Sequence, residues 1–527
     1  MDSLRNESSI SEESALGLRL LEAEAGLNHL KVVLSELPDP SGDLVSRCED
    51  LESDICSLRI SLTVAPHKKL PPELLAEIFL FCSTSPAVLP PKADDPLLAL
   101  GQVCRAWREL ALQVPELWAT ISVSFTEGAN VQRATDIAEQ WISRAGTSCP
   151  LSITAECTGP YATVACENPD LVSGFVPLVV SHSHRLRHLD IALPFASLAP
   201  LFALPRGAFP CLETLALRPL LVLSDMVTPE TGSAAWHWPS TSVAFQSVPL
   251  LGEVTYNPLP LYKLAELEAL SEDVMDRVMT TADVAAHPFF APPVSLPWAQ
   301  LGHISFPFTA LTADEWCAVL RECPTLSHLE VAIRPLPSQV ASEPHSAEHI
   351  HLDRLHHLSV SAFSGGGDEL LDRLVTPRLT LFVLMGTQFP PASLIAFHVR
   401  SGFVLETFIP VVQIPAEDVE RLFQHLCDLK TLVILAISTE HFPAAFWERV
   451  GRAELLPHLE ALLVRPTAEQ APLLVDMIDT RWGAQAEGFA VGFCDVRPAH
   501  LEAVNDELRR LEKYAAGGRT VDVLTVC

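Results

Sequence analysis

Hydrophobic positions recur along this chain with two different periods, and the change from one to the other divides it. In the N-terminal region the spacing is helical. Leu16, Leu20, Ala23, Leu27, Leu30, Leu34 and Leu37 alternate gaps of 4 and 3, and Leu44, Cys48, Leu51, Ile55, Leu58 and Leu62 do the same. Between the two stretches, residues 38–43 read PDPSGD, which supplies proline, glycine and helix-starting polar residues. Two amphipathic helices closing on each other as a hairpin over residues 1–64 are therefore expected. An intermolecular coiled-coil dimer is the alternative, and arms of only about three heptads disfavour it. Beyond residue 126 the period changes to two. LxxLxL-like strings start at Leu186, Leu212, Leu326, Leu355, Leu429 and Leu459, with weaker copies at Leu251, Leu301, Leu379 and Leu405. From Leu301 onward the starts lie 25, 29, 24, 26, 24 and 30 residues apart, and the stretches between them, such as TADEWCAVLREC and AEDVERLFQHLC, have helical periodicity. Strands alternating with helices over residues 126–498 make the chain an α/β protein. Residues 226–250, around Trp236 and Trp238, and 335–350 read as surface loops. The two tryptophans fit a recognition surface and an anchor for their loop equally well. Leu501, Val504, Leu508 and Leu511 predict a last amphipathic helix, in residues 499–527, that caps the array.

Residues 65–125 combine short helices with a fixed set of side chains. Pro71 and Pro72 suit a helix start, where no backbone donor is needed. Leu70, Leu74, Leu75, Ile78 and Phe79 follow at spacings that gather them on one face. Leu100, Val103, Trp107 and Leu110 form a second stripe, with Arg105 and Arg108 opposite, and Pro115 stops that helix. Such short apolar helices must pack on each other and on something else. The ordered strings LPPELLAEIF and VCRAWRELALQVPELW resemble an F-box. That resemblance implies docking on the Skp adaptor of cullin-based ubiquitin ligases, with Leu70, Pro71, Leu74, Ile78, Val103 and Trp107 forming or supporting the contact. Cys82–Pro96, with four prolines, makes the central loop longer than in a compact F-box.

The later strings resemble the strands of leucine-rich repeats, although no copy shows the asparagine that regular repeats place after the strand. An irregular solenoid is expected, and an unrelated α/β domain with parallel strands is the alternative. In such a repeat the leucines face the core and the residues between them face out. The outward positions are polar or small in early copies: His188, Asp190, Thr214, Ala216, Arg218, His328, Glu330, His357 and Ser359. They turn apolar later, at Leu381, Val383, Met385, Val433, Leu435, Ala461 and Leu463. Such a stripe predicts a groove for a target protein or, alternatively, burial under the C-terminal helix. Helical hairpin, F-box and loose repeats in this order resemble the large F-box families of mushroom-forming fungi. The resemblance implies a substrate receptor that brings a target to a cullin-bound enzyme; a ligase-independent scaffold is the rival reading.

Composition narrows the alternatives. The 527 residues are 48% hydrophobic, enough for a large core, and 65 acidic against 35 basic residues give a net charge of −30 that repels nucleic acid. The acidic start MDSLRNESSISEESA is unlike a secretory signal, which predicts an intracellular chain. Thirteen cysteines without a CxxC pair, among them Cys56, Cys104, Cys211 and Cys427, read as small buried hydrophobes in a reducing compartment. The longest apolar stretch, 191–205, is broken by Pro194 and Pro200, so no membrane span is expected. There is no phosphate loop, GxGxxG, HExxH or GxSxG motif, so neither catalysis nor a cofactor is expected. His345, Glu348, His349 and His351, and the pair His184 and His188, are weak candidates for metal ligands, and solvated histidines account for them better. SGGGD at 364–368 reads as a plain turn.

Overall fold

In the computed structural model the described residues are 2–36, 42–62, 70–83, 85–92, 94–126, 130–222, 243–261, 296–333, 349–362, 366–434, 442–484, 489–494, 496, 498–519 and 521–523. They form two compact units: residues 1–84 with 99–114, and residues 85–98 with 115–527. Leu435, Trp236, Trp238, His345 and Glu348 lie outside the described residues, as do Leu37 and the start of the SGGGD turn.

The first unit is helical. Helices α1 (Asp2–Glu36) and α2 (Gly42–Leu62) lie along each other. Their direction follows from two ion pairs, Glu24–Arg59 at 2.7 Å and Lys31–Glu52 at 2.6 Å: seven residues forward on α1 correspond to seven residues back on α2, so the helices are antiparallel. Both pairs are exposed and hold register more than they add stability. The expected seam is the protected side. Cys48 and Ile55 are buried and Leu16, Leu20, Leu27, Leu44 and Leu51 are half-buried, while Leu18 and Leu21 point to solvent. The unit also holds α3 (Pro72–Cys82), the end of α4 (Pro96–Val103), and α5 (Arg105–Gln113).

The second unit is built on one 15-stranded sheet whose strands follow each other in chain order. They are β1 (Ala87–Leu89), β2 (Thr120–Phe125), β3 (Leu151–Cys157), β4 (Leu186–Ala192), β5 (Thr214–Leu217), β6 (Glu253–Tyr256), β7 (His303–Leu311), β8 (His328–Ile333), β9 (His357–Ala362), β10 (Leu381–Gln388), β11 (Thr407–Gln413), β12 (Thr431–Ile434), β13 (Ala461–Val464), β14 (Ala490–Phe493) and β15 (Val521–Val523). All its recorded pairings are parallel. Each return to the start of the next strand therefore needs a crossover, and helices supply it in much of the sheet. Among them are α6 (Val131–Arg144), α7 (Ala313–Arg321), α8 (Pro391–Ser401), α9 (Ala416–His425), α10 (Ala444–Gly451), α11 (Ala471–Gly483) and α12 (Pro498–Leu508).

Strand alternation decides which side chains meet those helices. Leu189, Leu215, Val254, Ile304, Leu329, Leu358, Phe382, Phe408, Leu432 and Leu462 are at most 1% exposed and stack in register through the core. Stacked Phe382 and Phe408, 5.8 Å apart, show how tightly adjacent strands repeat one another. Arginines fasten the connections where a helix ends. Arg185 donates to the carbonyls of Ile142 in the last turn of α6 and of Gly146 and Cys149 beyond it, and Arg481, 2% exposed, donates to those of Val450, Leu456, Pro457 and Leu459. These carbonyls have no intrahelical partner, and a fixed guanidinium fork satisfies several at once.

Several expectations need correction. The segment Cys82–Pro96 is not simply a long loop, because Ala87–Leu89 within it is β1 and pairs with Ile121–Val123 of β2. The sheet thus begins inside the stretch assigned to the F-box. Val103 and Trp107 do not share one helix: Cys104 is extended, at φ −159° and ψ 170°, and separates α4 from α5, with Arg108 Nε donating to the Gly101 carbonyl across the break. His188 lies on β4 and His184 in a 3-10 turn, so their helical spacing does not exist. Cys56 and Cys427 are exposed and not buried, whereas Cys157 and Cys323 are core residues whose thiols burial pushes up to about 12. Finally, α12 does not cover the outward strand residues. It packs beside α11, where Val504 and Leu511 are buried and Tyr514 and Lys513 hold Asp479 at 2.8 and 2.7 Å, and the chain then returns as β15.

Candidate protein-interaction surfaces

Helix α3 presents two apolar faces, not one. Phe79 is fully buried and meets Trp107 of α5 with ring centroids 4.9 Å apart, and Leu75 is half-buried. Those residues hold the helices together. Leu74 and Ile78, four residues apart on another face, are 52% and 41% exposed, and Leu70 ahead of the helix is 37% exposed. Pro71 is exposed as N-cap, its carbonyl accepting from the Leu74 and Leu75 amides. Val103, at the end of α4, is 54% exposed. Five of the six expected adaptor-contact residues therefore face solvent, and Trp107 supports them from behind through Phe79. Phe81, 78% exposed, extends the Leu74–Ile78 face by the i, i+3 rule and was legible from that spacing. Leu112 of α5 is also exposed. Apolar side chains concentrated on so small a helical unit cost solvation free energy unless a partner covers them.

The second surface is the outward face of the large sheet. Its residues are mostly half-buried, the exposure expected of side chains flanked by parallel neighbours and open in front. Across β4 to β9 they are polar or small. One row runs His188, Thr214, Glu253, His303, His328, His357, and the next runs Asp190, Ala216, Thr255, Ser305, Glu330, Ser359. Arg218 holds Asp190 through two bonds of 2.9 Å, which neutralises both. From β10 onward the same rows turn apolar. His357 adjoins Leu381, Ser359 adjoins Val383 and then Ile409, and Met385 adjoins Val411. Val433 adjoins Leu463 on the next pair of strands. The apolar residues of these rows are half-buried, whereas Ser359 between them and Glu330 is buried.

Three imidazoles meet where the two halves join. The His303 and His328 rings stack at 4.0 Å and 8°, and His328 and His357 lie 3.8 Å apart. Burial, and then the neighbouring histidines, push His328 down to about 4, and burial lowers His357 as well. Lowered values favour the neutral form of His328 and His357, and the three stacked rings form an aromatic strip across the strands. His303 was missing from the sequence-based outward set, although it sits two residues after Leu301, as His328 and His357 sit two residues after Leu326 and Leu355.

A family model described as F-box-like matches residues 67–124, which takes in α3, α4, α5 and the first two strands. No curated protein matches the chain. Among the described residues no helix is long and apolar enough to cross a membrane. The chain thus carries an F-box-like domain followed by a strand-rich parallel sheet, an arrangement that points to protein–protein interaction.

Proposed function

We propose that this chain is an intracellular substrate-receptor subunit of a Skp, cullin and F-box ubiquitin ligase. The observation that carries the reading is the solvent exposure of Leu70, Leu74, Ile78 and Val103, the side chains the F-box resemblance assigns to the adaptor. In an ordinary helical subdomain these aliphatic side chains would be the first to be buried. The sheet supports the second half of the reading. Strands in chain order, parallel neighbours, leucines facing the helices and an open outward face are the attributes of a leucine-rich-repeat-like solenoid, and the apolar row Leu381, Val383, Met385, Val433 and Leu463 is its candidate target groove. On this reading the ligase chemistry belongs to partners. The chain contributes proximity, which makes transfer to the target nearly intramolecular.

The test is co-purification. Changing Leu70 and Pro71 together to alanine should abolish adaptor and cullin recovery while circular dichroism and melting stay unchanged, because both side chains are exposed. Undiminished recovery by the soluble double variant would sink the adaptor assignment. Recovery of adaptor without cullin from the unaltered chain would favour the rival, a ligase-independent scaffold.

A further inference from the structure

The open face of the sheet has an electrostatic asymmetry that defines what it can hold. On the polar side three outward carboxylates, Glu156, Glu253 and Glu330, have no arginine or lysine within ion-pair distance among the described residues. Arg218, the basic residue in the outward rows, is spent on Asp190. Glu330 receives a hydrogen bond from the Ser305 hydroxyl, and Glu253 lies 3.9 Å from the His303 ring. On the other side, the outward residues of β10 and β11 are Leu381, Val383, Met385, Thr407, Ile409 and Val411, without a charge. Glu330 pairs with Ser359 and Ser359 with Val383, so the acidic and apolar regions are two strands, about 10 Å, apart. That separation is within reach of one short ligand segment.

We infer that the occupant of this face is a basic amphipathic segment of a target protein, its aliphatic side chains on Val383 and Ile409 and its lysines or arginines reaching Glu330 and Glu253. This rests on the receptor reading above. Charge argues against the other occupants. The long inserts of this chain, 223–242, 262–295 and 334–348, each hold more acidic than basic residues, and a second copy would bring a net charge of −30. Both are repelled by the carboxylates that attract a basic partner.

Fluorescence anisotropy with the full chain tests this, using a labelled leucine–lysine amphipathic peptide and its leucine–glutamate counterpart as probes. The lysine peptide should bind and weaken with added salt. The glutamate peptide should bind at least about tenfold more weakly. The double variant Glu253→Gln with Glu330→Gln should lose about tenfold in affinity for the lysine peptide, whereas Glu369→Gln with Glu417→Gln, the same charge change on exposed helical positions, should lose little. Val383→Asp should lose binding as well. Equal affinity for the two peptides, or full affinity in the Glu253 and Glu330 variant, would overturn the inference. So would a sharp loss of melting temperature in Val383→Asp, since it would make that face part of the core. Adaptor recovery is measured on the same proteins. Its loss from the unaltered chain would reject the ligase reading and leave the peptide result standing, which keeps the two failures apart.

Discussion

At the scale of residues, position on the helix or strand decides what an apolar or titratable side chain does. Leu74 and Phe79 are close in sequence and opposite in fate, because α3 directs one outward and the other onto Trp107. A stripe that gathers all the apolar residues on one face conceals this, and only the packing of α5 separates the two sets. The histidines make the same point with a measurable consequence. His328 is flanked by His303 and His357, with Glu330 on its own strand and Glu253 beside His303, and its folded-state value of about 4 lies below the 6.5 of an unfolded histidine. A group depressed by folding leaves the unfolded chain binding more protons between those two values. Stability is then fully present above about pH 6.5 and falls as pH drops towards 4. Because the ring is only half-buried, screening holds the loss to the order of 1 kcal/mol. His328→Phe, which keeps a flat ring in the stack, should flatten the melting temperature between pH 7 and pH 5 relative to the unaltered chain (about two pH units across the imidazole range). A profile identical to that of the parent would show that the stack is not the titrating element.

At the scale of elements, the period-two pattern was a faithful guide wherever leucines repeated, and ten strings became ten strands. It failed where the repeat was masked by other chemistry. Strands β2 and β3, TISVSF and LSITAEC, alternate serine, threonine and glutamate with buried apolar residues and lack the LxxLxL-like string that marked β4 to β13. β1 is three residues long and sits among prolines. The break between α4 and α5 was equally hidden, since VCRAWR reads as continuous helix until tertiary packing extends Cys104. Close approach of strands adds a constraint that leucine spacing does not display. A Cβ on Gly386 of β10 would lie 2.8 Å from the Ala362 carbonyl oxygen of β9, backbone that cannot yield. A Cβ on Gly492 of β14 would meet the Leu463 side-chain tip at 2.5 Å, and a rotamer change can relieve that. Gly386→Ala should cost about 1–3 kcal/mol in denaturant unfolding and Gly492→Ala under about 1 kcal/mol. The reverse order would mean that strand spacing at β9 and β10 is looser than these positions imply.

At the scale of the whole molecule, the family-model match and the structural units do not coincide. Residues 67–124 contribute α3 and α5 to the helical unit and β1 and β2 to the sheet unit, with the chain passing between units near residues 84, 98 and 114. Sequence made the F-box legible as a contiguous motif, but contiguity in sequence is not autonomy in the fold. β2 is paired on both sides, by β1 and, along its own full length, by β3. Trp118, at the turn before it, packs on Trp141 of α6 with centroids 4.9 Å apart and lies under the Arg144 guanidinium at 4.5 Å. A fragment ending at residue 126 removes β3 and α6 together. Ile121, Val123 and Phe125, each at most 1% exposed in the chain, would lose the layer that covers them, and β2 would present an unpaired edge beside that apolar surface. Residues 1–126 should therefore aggregate, or melt well below the full chain, in light scattering and thermal unfolding, although every residue of the F-box-like match is present. A monodisperse fragment with a cooperative transition near that of the full chain would show that the F-box-like segment folds without the sheet, and that β1 and β2 are lodged in it only by sequence neighbourhood.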